Sequence, residues 1–154
     1  MRAFCCIAAL VLAATTGALA YLFLWKGEVV PASDGRTAIL LAPGERDLVL
    51  AEMRAFLQAS QQILDAASRG AVDGIAESAR SVGAAAQHGV PASLVGKLPA
   101  EFKMLGFDTH SQFDILAADA EQLGDPTHSL QQLADLMRNC VACHAAYRID
   151  LTGP

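Results

Sequence analysis

Residues 139–148 read Asn-Cys-Val-Ala-Cys-His-Ala-Ala-Tyr-Arg and contain the pattern C-x-x-C-H as Cys140, Cys143 and His144. This pattern is the attachment signature of c-type haem. Two thiols at this spacing can form thioether bonds with the two vinyl groups of one porphyrin, and the adjacent imidazole can bind the iron. Haem iron held in this way is a one-electron redox centre. We therefore predict one covalently bound haem c, with His144 as the proximal iron ligand.

Other uses of this cysteine pair fit the sequence less well. A zinc site commonly needs four Cys or His ligands, and the remaining cysteines, Cys5 and Cys6, are neighbours in an apolar N-terminal run. A thioredoxin-type pair would follow a strand in a βαβ pattern, which the sequence does not show. A structural disulfide in an oxidising compartment remains an alternative. Covalent haem attachment is the interpretation that we adopt.

Length and composition predict one small domain with an N-terminal extension. The chain has 154 residues, of which 53% are hydrophobic, and its net charge is −5. An acidic chain without a basic stripe is not expected to bind nucleic acid. For a haem protein of this kind we expect other redox proteins as partners.

The N-terminal segment, residues 1–25, is predicted to be a signal peptide or a membrane anchor. Residues 4–25 carry no charge, and a run of this length can cross a bilayer. Ala18-Leu19-Ala20 offers a signal-peptidase site, whereas the aromatic residues after it suit a membrane interface. Arg2 on the short N-terminal side predicts that the remainder of the chain is exported. Both alternatives place the domain outside the cytoplasm, where c-type haem is attached.

The remainder of the chain divides into a linker and a helical domain. Residues 26–44 are rich in Gly, Pro and Ser and are predicted to be a linker. Residues 45–150 place apolar side chains at spacings of three and four, which is typical of amphipathic helices. Strands are not expected, because no period-two segment of any length occurs. We predict an all-α domain, a four-helix up-and-down bundle with the haem on its last helix.

Capping and breaking signals predict where these helices begin and end. Thr109 and Gln112 can form a capping box at the start of the third helix, and Asp125-Pro126 is typical of the start of the fourth. The stretch 91–107 has two prolines and two glycines and is expected to be an irregular connection. The four helices are predicted at about residues 45–68, 71–88, 109–123 and from 126 onwards.

The position of the motif within the last helix predicts where the haem lies. Cys140 and His144 are four residues apart and share the apolar face of that helix, while Cys143 lies at its edge. The haem is therefore expected between the last helix and the other three.

This combination resembles the cytochrome c-prime family. The resemblance covers residues 45–149 and is carried by C-x-x-C-H in the last of four helices, with Tyr147 and Arg148 shortly after it. It implies a bacterial monohaem protein of the periplasm, and the N-terminal segment leaves open whether this protein is soluble or anchored to the inner membrane. It also implies a homodimer formed through the first two helices in many members.

The sixth coordination site of the iron divides this family. Low-spin members have a methionine early in the first helix, above the iron, whereas high-spin members leave the site open and bind small gases. Met53 occupies the corresponding place on the apolar stripe of the first helix. We predict that Met53 is the distal iron ligand and that the protein carries electrons rather than acting as an enzyme. If Met53 only fills the core, as most buried methionines do, binding of nitric oxide or carbon monoxide is the alternative.

Other side chains compete for the distal position. Met137 lies on the haem-bearing helix itself and cannot easily reach the opposite face of the ring. Met104 would need its loop to fold over the haem. His110 is placed in the first turn of the third helix, off the apolar stripe, so a solvent-facing or capping role is expected. His88 and His128 lie at helix ends and are expected at the surface.

Arg148 is a further candidate for the haem environment. It lies four residues after His144, on the same side of a continued helix. The family resemblance implies a position near the proximal face of the haem, where its charge would raise the potential or neutralise a propionate. The dipole of the helix C-terminus explains an arginine at this place equally well.

Overall fold

The computed structural model describes residues 2–153, which form six α-helices and three short strands. The helix α1 continues as a π-helical turn (Tyr21–Lys26), and a 3₁₀ turn (Ala84–Gln87) precedes α4. The prediction of a mainly helical protein is confirmed. The helices are α1 (Arg2–Ala20), α2 (Pro43–Ser68), α3 (Val72–Arg80), α4 (Ala92–Lys97), α5 (Ala100–Leu123) and α6 (Pro126–Ala146); the strands are β1 (Val29–Pro31), β2 (Thr37–Leu41) and β3 (Tyr147–Leu151).

Four of the helices share one hydrophobic core. Ile63 of α2, Ile75 of α3, Leu116 of α5 and Leu133 of α6 are all buried in it. Burying one such side chain stabilises the fold by about 1.5–3 kcal/mol. The apolar stripes read from the sequence are therefore the surfaces on which these helices pack.

Local capping explains where α2 and α6 begin. The carboxylate of Glu45 accepts a hydrogen bond from the backbone N–H of Ala42 at 2.9 Å, one residue before α2. Asp125 precedes α6, and its carboxylate accepts from the backbone N–H of Thr127 at 2.8 Å. Pro126 then occupies the first turn, as predicted, because its missing N–H is not needed there.

The middle of the chain departs from the prediction. The helix α3 ends at Arg80 rather than near residue 88, and α5 begins at Ala100, well before the predicted Thr109. Thr109 does not cap the helix: it lies inside α5, and its hydroxyl donates to the Leu105 carbonyl at 2.7 Å. The prolines expected to interrupt this region, Pro91 and Pro99, directly precede α4 and α5.

A three-stranded sheet lies against the helices, and the expectation of no strands is wrong. The strand β1 pairs antiparallel with β2, and β2 pairs parallel with β3. Thr37 of β2 lies opposite Tyr147, shortly after the haem motif. The sheet therefore connects the segment before α2 to the end of α6.

Residues 26–44, expected to be a linker, contain β1 and β2. Ile39 and Leu41 are fully buried. With Val49 of α2 and Leu94 of α4 they form a second, smaller core. This segment is therefore part of the folded domain.

The N-terminal helix lies apart from both cores. The helical stretch Cys6–Lys26 has a mean hydropathy of 2.1 and is not buried against the rest of the protein. By length and composition it fits either a signal sequence or a membrane-spanning anchor.

Candidate haem site

One cavity brings together the residues predicted to bind haem. Met53 of α2 lines it together with Cys140, Cys143 and His144 of α6. Its volume of about 440 Å³ lies within the range of roughly 300–1,000 Å³ that is usual for small-molecule sites. The cavity therefore has the size and the side chains expected of a cofactor site.

The rest of the lining is mainly apolar and comes mostly from α2 and α5, with Met137 and Asn139 from α6. Apolar surroundings exclude water and raise the reduction potential of a buried redox centre. A guanidinium is also available, because Arg54 contributes to the lining. The apolar lining residues are Leu50, Phe56, Leu57, Phe102, Leu105, Gly106 and Met137.

The two motif cysteines are half-buried free thiols. They are three residues apart on α6 and so lie on neighbouring positions of one helix face. Burial raises the pKa of the Cys140 thiol, and burial together with the nearby Cys140 raises the pKa of Cys143. Both therefore favour the neutral thiol. Cys6 is exposed on α1, and the side chain of Cys5 lies outside the described part of the chain.

The end of α6 is fixed by the sheet and by an arginine from the other end of the domain. His144 is exposed in the last turn of α6, and the chain becomes extended at Tyr147. The Arg36 guanidinium donates to the carbonyl oxygens of His144 at 3.4 Å and Tyr147 at 3.3 Å. A cation at this place satisfies carbonyls that the end of the helix leaves without partners.

Arg148 lies on β3 and not on a continued helix, which corrects the position predicted from the sequence. Its Nε lies 2.9 Å from the Asp150 carboxylate, and its Nη1 lies 3.4 Å from that of Asp34. Among the described residues that line the cavity, Arg54 and not Arg148 provides the guanidinium.

The three methionines considered as distal ligands lie in different surroundings. Met53 is partly buried and packs against both cores. Met137 lines the same cavity but is 42% exposed. Met104 lies on α5 rather than in a loop, is 59% exposed and lines a different cavity, beside Tyr147. Met53 and Met137 therefore both line the candidate haem cavity, and Met53 is the one that lies on a different helix from the motif.

His110 is buried, so the prediction of a solvent-facing or capping residue is wrong. Its Nδ1 lies 2.7 Å from the carbonyl oxygen of Val82, and its Nε2 lies 3.1 Å from Oε1 of Glu52. Burial lowers the pKa of His110, but the hydrogen bonds with Glu52 and Val82 outweigh burial and raise the pKa above 6.5. Both ring nitrogens are occupied, and His110 does not line the cavity that contains the motif.

The sequence contained a signal for the burial of His110. It precedes Phe113 by three residues and Ala117 by seven, and both of these are buried. His110 therefore continues the apolar stripe of α5. His88 is exposed, and His128 lies at the surface with its Nε2 3.7 Å from Asp119.

No protein-family model matches the chain, and no curated protein or solved structure is significantly similar to it. Its function must therefore be inferred from the motif and from the geometry around it.

Proposed function

We propose that this protein is a monohaem c-type cytochrome, similar to the low-spin cytochromes c-prime, that carries single electrons and is not an enzyme. The supporting observation is that Met53, Cys140, Cys143 and His144 line one cavity between α2, α5 and α6. A C-x-x-C-H pattern that arose by chance would not be expected to face an apolar cavity with a methionine on the opposing helix.

The side chains around the cavity fit a haem. The thiols of Cys140 and Cys143 would each add across a vinyl group, so that a sulfur–carbon bond forms and the thiol hydrogen passes to the other vinyl carbon. His144 and Met53 would bind iron from α6 and α2, and Arg54 would neutralise a propionate. Bound haem supplies a one-electron couple between ferric and ferrous iron.

The surroundings of the cavity favour electron transfer. The thioether of Met53 would stabilise the ferrous state, and Phe56 and Leu105 would keep water from the iron. The cavity is open to solvent beside Met137 of α6, which is 42% exposed. An edge of the haem at this opening could exchange electrons with a redox partner protein.

The second candidate is a five-coordinate haem that binds nitric oxide or carbon monoxide. Leu50, Phe56 and Leu57 line the cavity from the same helix as Met53. If one of these apolar side chains lay over the iron in place of the thioether, the distal site would be open and dry. An absorption spectrum separates the candidates, because low-spin and high-spin haem absorb differently.

We also propose that the domain is exported to the periplasm and remains attached to the inner membrane by α1. In support, the helical stretch Cys6–Lys26 is long and apolar enough to cross a bilayer. The turn Tyr21–Lys26 contacts α4 and α5 of the domain, so it would stay with the domain even if a signal peptidase cleaved after Ala20.

A homodimer through α2 and α3 is proposed for the same protein. Leu57 and Leu64 lie two turns apart on α2 and are 72% and 50% exposed. Residues seven apart lie on one face of a helix, so a second copy of α2 could cover both side chains.

Haem attachment tests the central proposal. The variants Cys140→Ser and Cys143→Ser, their double variant and the control Cys6→Ser are produced with the haem-attachment machinery, and haem staining follows denaturing electrophoresis. Wild type and C6S should keep covalent haem, the single variants should lose most of it, and the double variant should lose all. Normal covalent haem in the double variant would contradict the proposal.

A further inference from the structure

The end of the N-terminal helix and the residues directly after it are joined to the domain by hydrogen bonds. The backbone N–H of Glu28 donates to the Lys97 carbonyl at 2.7 Å, and the N–H of Leu40 donates to the Glu28 carbonyl at 2.9 Å. The Nζ of Lys103 donates to the carbonyl of Phe23, within the π-helical turn, at 3.3 Å. These bonds connect the end of the apolar helix to α4, to α5 and to the sheet.

Two glycines allow the chain to pack closely at this junction. Gly27 has φ = +67°, and a Cβ there would lie 2.6 Å from the Lys97 carbonyl oxygen and from the Pro99 nitrogen. A Cβ on Gly96 would lie 2.5 Å from the ring of Phe23. Only a residue without a Cβ fits at these two positions, so the end of the apolar helix packs directly against α4 and the start of α5.

The candidate haem cavity lies near this junction. Phe102, the neighbour of Lys103, lines the cavity, and Leu105 and Thr109 line it farther along α5. With a rise of about 1.5 Å per residue, Thr109 lies about 9 Å along α5 from Lys103. The cavity therefore begins beside Lys103 and extends about 9 Å along α5 from the junction.

The surface around the junction has a composition suited to a membrane interface. Trp25 is 64% exposed at the end of the apolar helix, and Lys26 comes directly after it. Phe107 lies one turn after Lys103 on α5 and is 52% exposed. Aromatic side chains and lysines are the residues that bind at the boundary between headgroups and acyl chains, although the chain as a whole is acidic.

We propose that the end of the domain formed by α4 and the first turns of α5 rests on the bilayer that contains α1. The close packing at Gly27 and Gly96 fixes the domain there. Trp25 and Phe107 then lie at the acyl boundary, and Lys26 and Lys103 lie near anionic headgroups. This inference rests on the proposed retention of α1. In this placement the haem cavity lies at a short, constant height above the lipid.

Tryptophan emission in lipid vesicles tests this placement. Trp25 is the only tryptophan of the chain, so a Trp25→Phe background allows a single probe. Phe107→Trp places the probe on the proposed surface, and Leu123→Trp is the matched control at the other end of α5, where Leu123 is 59% exposed. The haem-loaded, full-length variants are placed in phosphatidylcholine–phosphatidylglycerol vesicles, with and without brominated acyl chains.

The ratio of tryptophan emission in plain and in brominated lipid measures contact of the probe with the acyl chains. Quenching by haem is the same in both lipids and cancels in this ratio. We expect roughly twofold or greater quenching for F107W and a ratio near one for L123W, since bromine quenches only probes at the acyl boundary. Equal quenching of both variants, or of neither, would overturn the inference.

Vesicle flotation of the same samples separates this inference from the proposed anchor. Protein that does not float would contradict the anchor, whereas floating protein without F107W quenching would contradict only the placement of the domain. A Gly-Ser segment inserted between Lys26 and Gly27 should abolish the quenching of F107W while flotation persists. Unchanged quenching after this insertion would overturn the role of the junction.

Discussion

The Nε2 atom of His110 lies 3.1 Å from Oε1 of Glu52, the residue immediately before Met53. On its other side, the Nδ1 of His110 faces the carbonyl oxygen of Val82 at 2.7 Å. Oxygen acceptors at both nitrogens favour the protonated imidazolium. The buried ring therefore connects α5 to the turn of α2 that carries the proposed distal ligand.

This pair predicts a pH-dependent contribution to stability. The folded-state pKa of His110 is raised above 6.5, so its contribution is complete below pH 6.5 and is lost as the pH rises through the folded-state pKa. The Glu52→Gln variant should lower this pKa, because the amide carries no charge. NMR titration of the His110 ring in the ferrous protein measures the shift directly.

A control variant distinguishes this pair from a general charge effect. Glu77→Gln removes the same charge from the exposed side of α3 and should leave the pKa of His110 as in wild type. Urea denaturation at several pH values should then show a smaller loss of stability above pH 6.5 in E52Q than in E77Q. Identical pH profiles of the two variants would contradict a Glu52–His110 interaction.

Methionine variants test the distal ligand. Met53→Ala should turn the haem high-spin and let the ferrous form bind carbon monoxide, whereas Met104→Ala should keep the low-spin spectrum, since Met104 lines a different cavity. Truncation of a fully buried methionine costs about 2–5 kcal/mol, and the partly buried Met53 should cost less. Because stability falls whether or not Met53 binds iron, the spectrum of the folded protein decides. If Met137→Ala is high-spin while M53A stays low-spin, the distal ligand is Met137. If the wild-type protein is already high-spin, the result favours gas binding over electron transfer.

Arg36 should stabilise the last turn of α6. Its guanidinium donates to the carbonyls of His144 and Tyr147, so Arg36→Gln should speed hydrogen exchange at the Tyr147 amide and destabilise the fold by at most about 1 kcal/mol. Arg138→Gln is the control, because Arg138 is 81% exposed in its ion pair with Asp135 on the same helix. Equal exchange rates in R36Q and R138Q would argue against this role.

The Arg36 variant also changes the titration of Asp34. Hydrogen bonds from Arg36 lower the pKa of Asp34 from 3.8 to about 2. The contribution of this interaction to the stability of the fold is therefore complete above pH 3.8 and is lost as the pH falls through about 2. In R36Q the carboxyl pKa, measured by NMR, should return towards 3.8.

Gly83 should resist substitution because of a neighbouring carboxylate. A Cβ there would collide with Asp114, which accepts from the Ala84 N–H at 2.8 Å. Gly83→Ala should lower the free energy of unfolding by about 1 kcal/mol, because Asp114 must turn away and lose this bond. Urea denaturation of G83A, D114A and the double variant tests this explanation. The double variant should lose no more unfolding free energy than the worse of the two single variants, and additive losses would contradict the explanation.

The helices were predictable where periodicity and capping agree. Asp125-Pro126 at the start of α6 and the stripe of α2 are local signals that require no knowledge of the partner. The start of α5 was missed because Pro99 can end one segment or begin the next, and the choice depends on Phe102 packing in the second core. The joint position of Met53 and the motif could be expected from the stripes of two helices.

The sheet was not predictable from local sequence. The strand β2 is only five residues long, and its parallel partner comes after the haem motif. A buried strand of this length has no alternating pattern, and its pairing depends on the far end of the chain. Arg148 was misplaced for the same reason, because nothing local indicates that the helix ends at Ala146.

The parallel pairing of β2 with β3 has a consequence for the order of assembly. If the domain is exported as proposed, the segment after α1 crosses the membrane first, so β2 emerges before β3, which follows Cys140, Cys143 and His144 in the chain. The sheet can close only when the whole motif has been delivered. We therefore expect the haem-attachment machinery to meet the motif in an unclosed chain, and the final folding step to come after maturation.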